Sequence, residues 1–114
     1  MRPLTKEEVL KFPGSDVQLA GIEWLDDGAL RLTLVLPGAE KRVARLTCSF
    51  ASQLNIELHF KERFGGRPLT WDTTFAEIPG SGWHVLLDFA GAPDGAVGFD
   101  CADIHLEYVE TLVA

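Results

Sequence analysis

Two cysteines, three histidines and a cluster of aspartates are the residues of this chain that could do chemistry. Cys48 and Cys101 fall on the same strand faces as Phe50 and Phe99. Both read as small buried apolar residues and reduced thiols. A nucleophilic thiol needs a neighbouring base or cation, and although His105 follows Cys101 by four residues, no paired motif surrounds them. His59, His84 and His105 lie in strand-like runs near Glu57, Asp88 and Asp103. Their spacing matches no zinc signature, so they are expected to face solvent. Asp94 precedes Gly95 and is explained by a turn. Asp88 and Asp100 point away from the apolar face of their strands. If they met across an antiparallel pair, one would be harder to ionise, but acid–base chemistry on a sugar needs a cleft as well. The chain is therefore expected not to be an enzyme and to need no cofactor or metal.

Binding residues are sought instead among Trp24, Trp71 and Trp83. Trp83 alternates with apolar residues and is expected to be buried. The segment from Lys61 to Gly82 has no clear element of its own, and structureless loops of that length are uncommon in small domains. It carries Arg63, Arg67, Trp71 and Asp72. Exposed Trp and Arg anchor many interfaces, so these four residues form the expected binding site. The competing expectation is an edge strand from Leu69 to Phe75 that packs Trp71 onto a sheet.

The elements that must position these groups read as strands. Trp83, Val85, Leu87 and Phe89 share one face, and Val97, Phe99 and Cys101 share another. Between them, Ala90 to Gly95 supplies turn residues, which makes a hairpin. Leu30, Leu32, Leu34 and Leu36 alternate with more polar residues. Leu46, Cys48 and Phe50 do the same, as do Leu54, Ile56, Leu58 and Phe60, and all are expected to point inward. That run is expected to break into two strands at Ala51-Ser52-Gln53. A change of phase at Ala20-Gly21 predicts a bulge in the first strand, and a second bulge is expected at Ala102-Asp103. Asp26-Asp27-Gly28 predicts a hairpin turn. Thr5 and Glu8 predict a capping box on a short N-terminal helix.

A chain of 114 residues fits a single domain, here 1–114. The fold class is all-β: an antiparallel β-sandwich or partly open barrel of six to eight short strands with a short N-terminal helix. A formal charge of −7 repels phosphate backbones, which argues against nucleic acid and favours a basic protein partner. No apolar run approaches a membrane span, and no signal segment is legible, so a cytoplasmic location is expected. In size and layout the chain resembles small bacterial all-β domains, some of which are immunity-type inhibitors. The resemblance implies a protein-interaction module and carries over no site residue. A homodimer through a strand edge is a further expectation. The alternative is a small-ligand-binding β-barrel with aromatic residues at its mouth.

Overall fold

A computed structural model of the chain describes residues 2–38, 42–58, 70–80, 82–89 and 95–109. It contains a helix, α1 (Lys6–Leu10), and eight strands: β1 (Gln18–Trp24), β2 (Leu30–Val35), β3 (Val43–Ser49), β4 (Ser52–Leu58), β5 (Trp71–Ile78), β6 (Gly82–Phe89), β7 (Gly95–Cys101) and β8 (Asp103–Val109). They form two four-stranded antiparallel sheets, ordered β1-β2-β3-β8 and β4-β7-β6-β5. The fold is an all-β sandwich.

Period-two leucines build the first sheet. Opposed residues of an antiparallel pair share a face, so Leu30, Cys48 and Ile104 line up, with Leu32, Leu46 and Leu106 beside them. Leu30, Leu32, Leu34 and Leu46 are each at most 1% exposed. Burying a leucine contributes roughly 1.5–3 kcal/mol, so this face is a main source of stability. The Trp83/Cys101, Val85/Phe99 and Leu87/Val97 pairs supply the facing layer, all buried. The expected bulge in β1 is present as a register shift between Leu19 and Gly21. In the turn that follows β1, Gly28 takes a φ of 82° and Asp27 Oδ1 accepts from the Ala29 N–H.

The two sheets share one bent ribbon. β3 pairs with β8 in the first sheet, and β4 pairs with β7 in the second. The chain therefore crosses between layers at Phe50–Ala51 and again at Ala102. The expected break at Ala51-Ser52-Gln53 is a corner rather than a reversal. It contains no glycine, and Phe50 and Gln53 take positive φ values of 53° and 58° instead. At the corner the Ala102 N–H donates to the Ser49 carbonyl at 2.9 Å and the Ala51 N–H to the Gly28 carbonyl at 3.1 Å.

One expectation fails at the corner. Phe50, Leu54 and Ile56 point inward by parity, yet they are 75%, 39% and 47% exposed. β4 is an edge strand with a register shift between Ser52 and Asn55. The reversed backbone at Phe50 and Gln53 breaks the alternation that parity assumes. Leu58 and Phe60 lie outside the described side chains.

β5 is the edge strand of the competing expectation, running from Trp71 to Ile78 rather than from Leu69 to Phe75, and the start of its outer edge is covered. Val17 and Trp71 exchange two backbone bonds of 3.0 and 2.7 Å, and the Thr73 N–H donates to Gly14 at 2.7 Å. Thr73 itself is 8% exposed, and among the described residues its Oγ1 has no hydrogen-bond partner. An unsatisfied buried hydroxyl is destabilising, so Thr73→Val is expected to raise stability by roughly 1 kcal/mol. A urea midpoint that falls instead would show that the hydroxyl has a partner.

The helix starts as expected. Thr5 Oγ1 accepts from the Glu8 N–H, and the Glu8 carboxylate accepts from the Thr5 N–H. That carboxylate also takes two bonds from Arg2, at 2.6 and 2.9 Å. Arg2 first, then the Thr5 N–H, lower the Glu8 pKa to about 2. A carboxylate with a depressed folded pKa stabilises fully above its ordinary value and loses this contribution as pH falls through the folded value. The first turn of α1 is thus expected to loosen as pH drops from about 4.5 toward about 2. Amide exchange at Thr5 and Glu8 reads this, and Glu8→Gln should abolish the pH dependence.

Candidate functional site

Of the four residues expected to form a binding site, Trp71 and Asp72 are described. Arg63 and Arg67 lie outside the described residues. Trp71 is 6% exposed and belongs to the core cluster, so its ring is not offered to a partner. Its burial follows from its place opposite Phe89 at the start of β5, where the Val17 bridge covers it. Asp72 Oδ1 accepts from the Asp16 N–H at 3.1 Å, which supports a residue with φ 54°. Its role is to hold a turn. Among the three tryptophans Trp83 is buried as expected, and Trp24 is the exposed one at 58%.

The aspartates pair differently from the expectation. Asp88 stands opposite Asp72 and Ala96, while Asp100 stands opposite His84 and Ser52. Asp88 and Asp100 therefore do not form a carboxylate pair. Cys101 and His105 do not meet as a nucleophile and base either. Cys101 is buried opposite Trp83, whereas His105 stands opposite Thr47, on the face of the first sheet turned away from Cys48 and Ile104. His59 lies outside the described residues. Among the described residues no group of three or more metal-ligating side chains could hold an ion.

What the fold does assemble is a groove at the corner. Phe50, Ser52, Ile78, Asp100, Cys101 and Ala102 line an open hollow of about 300 Å³. Beside it, His84 Nδ1 lies 2.7 Å from Asp100 Oδ1, with the two side chains 46% and 35% exposed. A carboxylate only accepts, so Nδ1 is the donor in this pair. The order across the ladder is Ser52, Asp100, His84. Hydroxyl activation needs the imidazole next to the serine, and here the carboxylate stands between them. The arrangement suits charge and hydrogen-bond recognition rather than nucleophilic attack.

Phe50 gives the groove its apolar wall. Three-quarters of it is exposed, in a backbone conformation that bulky residues avoid. Left-handed backbone costs an L-residue about 1–2 kcal/mol, and such strain clusters at contact sites. Parity could not reveal this residue, because it placed Phe50 with Leu46 and Cys48. The His84–Asp100 pair was within reach of the sequence. Once Trp83 and Cys101 share an inner face, hairpin register sets His84 against Asp100 on the outer one. A second open groove of about 300 Å³ lies where the start of β1 meets the end of β2, lined by Asp16, Gln18, Leu36 and Thr70 among others. Compared with family models, curated proteins and solved structures, the chain matches none of them.

Proposed function

We propose that this chain is a protein-interaction module, of an inhibitor-like or accessory kind, that receives a partner at the corner groove and along the β4 edge. The exposure of Phe50 in a strained conformation is the observation that carries the reading. Every side chain from Gln53 to Glu57 is exposed as well, and edge strands accept added strands readily. The −7 charge and the Asp100 carboxylate favour a partner that brings basic side chains. A long basic side chain would lay its stem on Phe50 and Ile78 and its charge on Asp100. The same charge disfavours nucleic acid. A cytoplasmic location suits two unlinked cysteines.

The test is parallel affinity capture from source extracts with the wild-type chain and with Phe50→Ala/Asp100→Asn. The reading expects a basic protein that the wild type retains, that added salt releases, and that the double variant loses. Identical captured sets from both chains would overturn it. A captured second copy of the chain itself, lost in the same variant, would identify the partner as a homodimer mate.

A further inference from the structure

Cys48 is the last residue but one of β3 and Cys101 the last of β7, on either side of the corner, and both are core residues, at 0% and 3% exposure. Cys48 faces the interior between Leu30 and Ile104, and Cys101 faces it beside Trp83. The residues that follow them are joined, since the Ala102 N–H donates to the Ser49 carbonyl at 2.9 Å. The two thiols are thus brought together from opposite layers, and neither is in a disulfide. They are not equivalent. Cys101 lines the Phe50 groove, which opens to solvent, whereas Cys48 does not.

We propose that Cys101 and Cys48 are a redox-modifiable pair, oxidised through the corner groove by a low-molecular-weight disulfide to an intramolecular disulfide that ties β3 to β7. The Cys101 thiolate, its proton released to water, attacks one sulfur of the small disulfide and expels the other half as a thiolate. A mixed disulfide forms on Cys101. Cys48 then gives up its proton and attacks the Cys101 sulfur, expelling the second half. Two protein thiols are oxidised, one small disulfide is reduced to two thiols, and the sulfur count is unchanged. The first attack belongs to Cys101 because it alone borders the groove. The neighbouring Cys101 side chain first, then burial, push the Cys48 thiol well above the ordinary range, so the resolving step is the slower one and quickens as pH rises. The product would brace the corner that carries Phe50.

Oxidised glutathione is the probe. The folded wild type, held monomeric and then denatured with an alkylating agent, is expected to lose the mass of two hydrogens and take up no alkyl group. Cys48→Ala should stop at one glutathione on Cys101, and Cys101→Ala should gain none. The oxidised wild type should also melt at a higher temperature than the reduced protein. Two alkylatable thiols remaining in the folded wild type would overturn the proposal. So would a first adduct on Cys48, or a disulfide between two chains.

Discussion

Gly82→Ala is expected to lower stability by roughly 2–6 kcal/mol, the sum of about 1–3 for backbone strain and about 1–3 for a forced collision. Gly82 has a φ of 118°, and a methyl group on it would sit 2.1 Å from the Cys101 carbonyl oxygen and 2.8 Å from the Ala102 Cα. Those neighbours are backbone at the corner where both sheets meet, so they cannot swing aside as a side chain could. Against a typical total of about 5–15 kcal/mol, such a loss leaves much of the population unfolded in mild denaturant. Gly28→Ala and Gly80→Ala are the controls. Both glycines have positive φ, 82° and 73°, yet nothing lies within 4 Å of a new methyl at either. They carry the strain without the collision and should lose only about 1–3 kcal/mol. Urea midpoints at unchanged slope measure all three. Equal losses at positions 28 and 82 would show that the corner is not closely packed around Gly82.

Phe99→Ala should cost about 3–5 kcal/mol, while Phe50→Ala should change stability by no more than about 0.5. Both residues alternate with cysteines in β-patterned runs, and only the structure separates them. Phe99 is fully buried between the layers, whereas Phe50 is 75% exposed. Phe50→Gly goes further and is expected to stabilise the fold by about 1 kcal/mol, since glycine adopts a φ of 53° without strain. Thermal and urea unfolding of the three variants give the comparison. A loss at Phe50→Ala comparable to that at Phe99→Ala would return Phe50 to the core. If Phe50 is the contact residue proposed, the glycine variant should also lose its partner as it gains stability, the usual direction of such a trade.

The layers were legible because their physics is local. Leu30 to Leu36 and Trp83 to Phe89 alternate with a period of two, and the described inner residues of both runs are buried. The capping box at Thr5 and the bulge near Gly21 were readable for the same reason, since each depends on neighbours a few residues apart. The corner was less legible. Alternation says which residues share a face, and it fails where the backbone reverses hand, as at Phe50 and Gln53. Nor does it say whether a face remains covered at an edge, which is why Leu54 and Ile56 are exposed despite their parity. Trp71 shows the opposite limit. Its loop-like surroundings suggested a contact residue, but its burial depends on a bridge to Val17, far away in sequence. The groove joins Phe50, Ile78 and Asp100 from three separate strand regions, and only the tertiary fold brings them together.

The bent ribbon bears on how fast the chain reaches its native state. β5, β6 and β7 follow one another as neighbours, so their pairing needs only short loops to close. The ribbon pairs Val43 with Val109 and Leu58 with Gly95, and such distant partners meet only after a large loss of chain entropy. Topologies dominated by distant pairing relax in about milliseconds to seconds. Each sheet owns half of that ribbon, and the first sheet lacks its last strand until β8 follows β7. On a translating ribosome, the outer edge of β3 waits unpaired until residues 103–109 have been made.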